Sequence, residues 1–270
     1  VTLQTALLQG VKLLEDAGVG APRLTAEVLL CHALRAERPY LYAHPEQELR
    51  EVEWIHYGRY LHERIKGKPT QYITRRQEFY GREFTVSPAV LIPRPETEHL
   101  VEAALPLARG VVVDVGSGSG AIAVTMSIET GLRVIAVDIS EDALQMTLKN
   151  AARLAGTIDP VCCDLLDAFA DQSVDLVVSN PPYVAENVRE TLQREVRDWE
   201  PGLALFGGDD GLDVYRRLIP QAWRVLRPGG HLALELGFDS LAAVEGMLPA
   251  PAVVHRDLAG IARVLVCQKA

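Results

Sequence analysis

The chain has 270 residues, 48% of them hydrophobic and 23% charged, which is enough apolar material for one large domain plus a small one. Its 27 basic and 36 acidic side chains give a formal net charge of −9, a poor balance for a protein that tracks phosphate backbones. No run of about 18 apolar residues and no secretory leader is present, so neither a membrane partner nor export is expected.

Residues 1 to about 70 read as helices. Leu3, Leu7, Val11 and Leu14 line one helical face, and Gly18 to Pro22 break it. Pro22 suits the first turn of a second helix carrying Leu29, Leu30, Ala33 and Leu34. Trp54, Tyr57, Leu61 and Ile65 form a third stripe that Gly67 and Pro69 end. These stripes read as core. Phe79 to Val86 then reads as a short hairpin turning near Gly81. Pro93 to Glu98 is an extended loop before a helix with Leu100, Val101, Ala104 and Leu105.

From residue 110 strands and helices alternate. Strands are predicted near 111–115, 133–137, 160–163, 174–179, 230–236, 252–256 and 262–268. Helices are predicted over 141–155, capped by Ser140, and over 212–226, stopped by Arg227-Pro228-Gly229-Gly230. Such alternation predicts a largely parallel, doubly wound α/β sheet. The short loop around Gly260 makes the last two strands a hairpin, with the final strand antiparallel at or near the edge.

Four predicted strand ends carry the chemistry, and ligands of open α/β sheets bind beyond such ends. After the first strand comes Asp114-Val115-Gly116-Ser117-Gly118-Ser119-Gly120, a strand, a tight turn and a helix start. Its glycines permit positive φ and close approach of a ligand. Asp138 ends the second strand, twenty residues after Gly118, where a carboxylate accepts from ribose hydroxyls. Asp164-Leu165 follows the third strand; the carboxylate suits an adenine amino group and the leucine suits the ring, while Asp164 as a helix N-cap is the plainer role. Gly116-x-Gly118-x-x-Ala121 also fits a nicotinamide dinucleotide fingerprint, so the loop by itself leaves a dinucleotide and another adenosine cofactor open.

Asn180-Pro181-Pro182-Tyr183 follows the fourth strand. The Asn oxygen and the Pro carbonyls are acceptors, the prolines bring no competing N–H, and Tyr offers a flat face. Together they can hold a planar, conjugated NH2 group, although Asn-Pro-Pro is also a good turn. A dehydrogenase would leave this tetrapeptide unused, and a non-catalytic binding module would leave both motifs idle. An adenine-N6 amino methyltransferase acting on DNA or RNA is the closest alternative, because an exocyclic amine is also planar and conjugated; the acidic balance speaks against it.

The remaining candidates carry less. The cysteines Cys31, Cys162, Cys163 and Cys267 have no metal-ligand spacing, so free thiols of a cytoplasmic protein and no metal are expected. Asp209-Asp210 lacks the full spacing of a calcium loop. The histidines do not neighbour the four strand ends in sequence.

Asp-x-Gly-x-Gly-x-Gly resembles the first motif of S-adenosylmethionine methyltransferases. The chain as a whole resembles the HemK/PrmC family, the release factor glutamine methyltransferases. The blocks that carry the likeness are Gly67-x-Pro69-x-Gln71-Tyr72, the Phe79…Phe84 hairpin and Leu91-Ile92-Pro93-Arg94-Pro95-Glu96-Thr97-Glu98. They continue with the Asp114 loop, Asp138, Asn180 to Tyr183, Glu200-Pro201…Ala204-Leu205, Gly207-Gly208…Gly211-Leu212 and Asp257…Gly260…Arg263. The resemblance implies a Rossmann-like class I S-adenosylmethionine-dependent methyltransferase sheet with a small helical N-terminal domain. It implies a helical substrate-recognition domain over 1–75, a β-hairpin linker over 76–92 and the methyltransferase domain over 93–270. It implies methylation of the side-chain amide nitrogen of the Gly-Gly-Gln glutamine of peptide chain release factors, with no direct nucleic-acid partner. Gly116, Ser117, Gly118, Ser119, Gly120, Asp138, Asp164, Leu165 and Asn180 would bind S-adenosylmethionine, and Asn180, Pro181, Pro182 and Tyr183 would hold the glutamine. Asn180, Pro181 and Tyr183 would be the catalytic set. Leu165 stands where relatives often carry an aromatic, and Ser240 where they often carry glutamine.

Overall fold

In a computed structural model describing residues 1–270, the chain forms two units, Val1–Arg75 with Gln193–Trp199 and Arg76–Leu192 with Glu200–Ala270. The first holds α1 (Leu3–Asp16), α2 (Pro22–Leu34), α3 (Arg38–Ala43), α4 (Glu51–Ile65) and α5 (Thr70–Thr74). Thr2 caps α1, its Oγ1 accepting from the Thr5 N–H at 3.2 Å. At the start of α4 the Glu53 carboxylate accepts from the Arg50 N–H at 2.8 Å, the return half of a capping box. Leu3, Leu7 and Leu14 of the α1 stripe are buried with Leu29, Leu30, Tyr57 and Leu61, whereas Val11, Trp54 and Ile65 lie at the margin of this core. Helices α3 and α5 have 6 and 5 residues, too few for a 3.6-residue period to show in the sequence.

The second unit begins with an antiparallel hairpin, β1 (Arg76–Phe79) and β2 (Arg82–Thr85). Tyr80 and Gly81 turn it with φ of +50° and +67°, the pattern of a type I′ turn. The first strand lies upstream of the predicted hairpin. Residues expected as a linker are tied into the sheet unit: Asn150 accepts from the Thr85 N–H and donates to the Thr85 carbonyl, at 2.8 and 2.9 Å.

Next come a 3-10 turn over Pro95–Thr97, α6 (Glu98–Ala104), β3 (Val112–Val115), α7 (Ala121–Thr130), β4 (Val134–Asp138), α8 (Glu141–Leu154), β5 (Ile158–Cys162) and β6 (Val174–Ser179). They are followed by α9 (Arg194–Trp199), which groups with the helical unit, α10 (Gly202–Leu205), α11 (Asp213–Val225), β7 (Leu226–Glu235), α12 (Leu241–Glu245), β8 (Ala252–Arg256) and β9 (Ala262–Gln268). Ser140 caps α8 as predicted, accepting from the Ala143 N–H at 3.2 Å.

The seven strands order as β5-β4-β3-β6-β7-β9-β8, parallel from β5 to β7 and antiparallel on both sides of β9. The antiparallel final strand is therefore second from the edge. Period-two alternation splits the strand residues between two cores. Val112, Val134, Ala136, Leu176, Val178 and Ala233 pack with α6, α7 and α8. Val113, Val115, Val137, Val177, Leu232 and Leu234 pack with α11 and Val244. Both faces are covered, which is why these strands read as continuous apolar runs. Strand β7 starts four residues earlier than predicted, because Gly229 and Gly230 pair with Lys269 of the C-terminal tail, at 2.8 and 2.9 Å. A register shift opposite Asp175 accommodates the Pro228-Gly229 step. No helix is long and apolar enough to cross a membrane.

Candidate functional site

The chain winds from β3 through β4 to β5, then returns to the other side of β3 with β6 and β7. The switch point lies between the carboxyl ends of β3 and β6, where a crevice opens in folds of this kind. Gly116, Gly118 and Gly120 all have positive φ, and a Cβ at Gly116 or Gly118 would meet nothing within 4 Å. The loop therefore presents backbone toward open space. It is fastened from behind: the Gly116 and Ser117 N–H groups donate to the Val137 carbonyl at 2.8 and 2.9 Å. Thr147 donates to the Gly118 carbonyl at 3.0 Å and Asn150 to the Ser119 carbonyl at 2.9 Å.

Asp138 accepts from the Gly118 N–H and the Ser140 N–H, both at 2.9 Å, so its carboxylate is fixed at the loop with lone pairs left over. Asp114 is fully buried and accepts from the Ala123 N–H in the first turn of α7 at 3.0 Å. Burial, reinforced by Asp138 nearby and opposed by that N–H, pushes its carboxyl up to about 7. Asp164 forms an ion pair with Arg217 through one oxygen. Leu165 adopts φ +50°, an uncommon conformation for a bulky residue, and packs at the margin of the second core. A surface hollow lined by Asp171, Ile219, Trp223 and Lys269 contains none of these residues.

Asn180 to Tyr183 leaves β6 and is backed by residues 205–211. The Val184 N–H donates to the Leu205 carbonyl and the Gly207 N–H to the Val184 carbonyl, both at 2.9 Å. A Cβ on Gly211 would come 2.3 Å from the Tyr183 carbonyl, and one on Gly237 would come 2.9 Å from the Tyr183 ring. Glycine at both positions lets the backbone close around the tyrosine. Ser179 donates to the Val115 carbonyl at 2.7 Å, holding the ends of β3 and β6 together.

The Asn180 carboxamide donates from Nδ2 to the Thr97 Oγ1 at 3.1 Å. The buried carboxylate of Glu235 stands at the end of β7. Tyr183 Oη makes a long contact of 3.5 Å to Glu235 Oε1, and Glu235 Oε2 has no partner. Burial pushes the Glu235 carboxyl up to about 7 and drives the Tyr183 phenol well above its ordinary value.

Residues 5–74 match the PrmC N-terminal domain, and residues 95–197 match the methyltransferase small domain. The chain is 47% identical over 277 residues to the release factor glutamine methyltransferase of Koribacter versatilis (strain Ellin345), covering 100% of this chain and 99% of that one. The chain belongs to the release factor glutamine methyltransferase family. The enzyme of that name from Nitratidesulfovibrio vulgaris is 41% identical over 281 residues, covering 99% of this chain and 95% of its own. Two solved structures share the fold. A methyltransferase from Pyrococcus furiosus superposes with a TM-score of 0.53 at 17% identity, covering 70% of this chain and 90% of that one. The T. thermophilus 16S rRNA N2 G1207 methyltransferase (RsmC), in complex with AdoMet and guanosine, gives 0.52 at 23%, covering 72% of this chain and 50% of that one.

The release factor glutamine methyltransferase motifs that sequence reading left without a role have structural partners. Glu200 is buried, accepts from the Ile92 N–H at 3.2 Å and pairs with Arg94, so it pins the loop that delivers Thr97. Asp257 accepts from the N–H groups of Ala259 and Ile261 and from Arg263 Nε, at 2.9, 2.9 and 2.8 Å, closing the β8–β9 hairpin. Thr147, Asn150 and Glu235 escaped sequence reading. They sit in ordinary helix and strand patterns and act only through partners distant in the chain.

Proposed function

We propose that this chain transfers a methyl group from S-adenosylmethionine to the side-chain amide nitrogen of the glutamine in the Gly-Gly-Gln loop of peptide chain release factors. The observation that carries the reading is the orientation of Asn180. Its NH2 is turned inward to Thr97, which leaves Oδ1 as an acceptor at the end of β6. The open cradle at Gly116 and Gly118, beside the fixed Asp138 carboxylate, fits an adenosine cofactor. Asp138 would accept from ribose hydroxyls, Leu165 would pack on the adenine, and the free oxygen of Asp164 would accept from the adenine amino group. Backbone of Gly116 to Gly120 would face the remainder of the cofactor.

S-adenosylmethionine supplies a sulfonium methyl whose leaving group departs as a neutral thioether and needs no acid. The difficulty lies in the acceptor, because an amide nitrogen shares its lone pair with its carbonyl. Asn180 Oδ1 and the Pro181 carbonyl would accept the two amide hydrogens, and Tyr183 would stack on the amide plane. This aims the nitrogen and stabilises positive charge developing on it. The new N–C bond forms as the S–C bond breaks, and the nitrogen then releases a proton to solvent. In-line positioning provides most of the remaining acceleration. The helical unit would offer surface to the release factor, and a cytoplasmic setting accords with four free cysteines.

An adenine amino group would satisfy the same acceptors, but the family and the net charge of −9 favour a protein substrate. The test is methyl transfer from labelled S-adenosylmethionine to a purified release factor, beside a copy with its Gly-Gly-Gln glutamine replaced. Label in the intact protein alone is expected. Equal label in both would sink the assignment.

A further inference from the structure

We propose that Gln221 is a positioning residue for the cofactor's adenine: from α11 it holds the Asp164–Leu165 turn in the conformation that presents both side chains to the base. The inference rests on the adenine contacts proposed for Asp164 and Leu165. Residues 164 to 167 form a turn, closed by the Asp167 N–H donating to the Asp164 carbonyl at 3.2 Å. Its first central residue, Leu165, has φ +50°, at a place that glycine takes most easily. A bulky residue there strains the backbone and persists only where its surroundings over-determine it. Here they do. The Leu166 N–H donates to Gln221 Oε1 at 2.8 Å, and the Leu166 carbonyl accepts from Arg224 Nη2 at 3.0 Å. The Leu166 side chain is fully buried, in one core with Leu218, Ala222 and Val225 of the same helix.

Arg217, Gln221 and Arg224 stand at steps of four and three, so they make one polar edge of α11 beside its buried face. Arg217 takes one oxygen of Asp164 and leaves the other. Arg224 also donates to the Phe169 carbonyl at 2.7 Å and pairs with Asp171 at 2.8 Å. The Leu165 carbonyl accepts from the Cys163 thiol at 3.3 Å. Of the three residues on the helix edge, Gln221 alone can accept, which is what the N–H next to the strained leucine requires. A turn docked only for stability gains nothing from leucine at φ +50°, because glycine would keep the same backbone bonds without the strain. What leucine adds is its side chain, half-buried at the margin of the core and beside the free oxygen of Asp164 in sequence.

Calorimetry on the full chain reads two ligands: S-adenosylhomocysteine, and S-inosylhomocysteine, whose base carries a carbonyl in place of the amino group. Gln221→Leu keeps the bulk and removes the acceptor. It is expected to weaken S-adenosylhomocysteine about tenfold, as loss of one hydrogen bond does, and to narrow the preference over the inosyl compound at least about threefold. In turnover with a purified release factor the loss should sit in KM for S-adenosylmethionine, with kcat changed less than about threefold. Gln221→Glu, which keeps an acceptor at the same reach, should recover most of the affinity. Leu165→Gly should weaken S-adenosylhomocysteine about tenfold while raising the thermal midpoint, because it removes the side chain and the strain together. Parent-like affinity in Gln221→Leu, or an equal loss for both ligands, overturns the inference, and a loss in Leu165→Gly alone leaves the adenine contact standing. Parent-like affinity in Leu165→Gly removes that contact and the inference with it.

Discussion

On the β3–β4 side of the crevice, the groups offered to a ligand are set by local backbone. Positive φ at Gly116, Gly118 and Gly120 shapes the loop, and Asp138 binds its own neighbourhood at Gly118 and Ser140. On the β6–β7 side they are set by side chains far apart in sequence, Thr97 with Asn180 and Tyr183 with Glu235. The first side is a shape that glycine makes inexpensive in conformational terms. The second is a polarity, and it depends on which atom donates at each link. Damage on the first side should therefore appear as lost affinity, and damage on the second as lost turnover.

The largest expected effect comes from Asn180→Ala, which removes an acceptor from the reacting nitrogen. It should lower kcat by about 100- to 1,000-fold, roughly 3–4 kcal/mol, with a native circular dichroism spectrum. A variant that turns over at the parent rate would erase the distinction between the two sides.

Next is the stability signature of the buried acid. Glu235 is pushed up to about 7 from 4.5, so the folded chain keeps a proton between those values that the unfolded chain releases. The stability this group contributes is fully present below about pH 4.5 and is lost as pH rises through about 7, by on the order of 3 kcal/mol. Asp114, also raised to about 7, acts with the same sign. Glu235→Gln should thus gain stability relative to the parent between about pH 5 and pH 8. Denaturant titrations at the two pH values check this; a constant difference would contradict the burial of an ionised Glu235.

Asp138→Ala should weaken S-adenosylmethionine binding about 30-fold, roughly 2 kcal/mol for a lost charge-assisted partner, with turnover at saturation little changed. Calorimetry beside kcat reads both. Unaltered affinity with lowered turnover would move Asp138 to the other side of the comparison. The smallest effect belongs to Gly237→Ala, whose Cβ would come 2.9 Å from the Tyr183 ring. A displaced ring should cost about tenfold in kcat/KM for the release factor, roughly 1.4 kcal/mol. Cofactor affinity should be untouched, and a loss there would mean that the two sides are coupled.

The same contrast explains what could be read from sequence. The glycine loop and Asp138 were legible because positive φ and close approach select residue types at short, fixed spacing. Most strands of the sheet were legible because buried parallel strands leave apolar runs, as in Val112–Val115 and Val174–Ser179. The early start of β7 was not legible, since Pro228 and Gly229 read as a stop and only the distant Lys269 makes them strand. Asn180 to Tyr183 stood out, but its orienting partners did not. Thr97 sits beside a helix start and Glu235 at a strand end, both unremarkable in one dimension, and their partners Asn180 and Tyr183 lie 83 and 52 residues away along the chain.

The most direct measurement is peptide mapping by mass spectrometry of a release factor after incubation with S-adenosylmethionine and either the parent chain or Asn180→Ala. The account predicts a methyl group on the side-chain nitrogen of the Gly-Gly-Gln glutamine with the parent chain and almost none with the variant. A methyl group on another residue, or equal modification by both proteins, would contradict it.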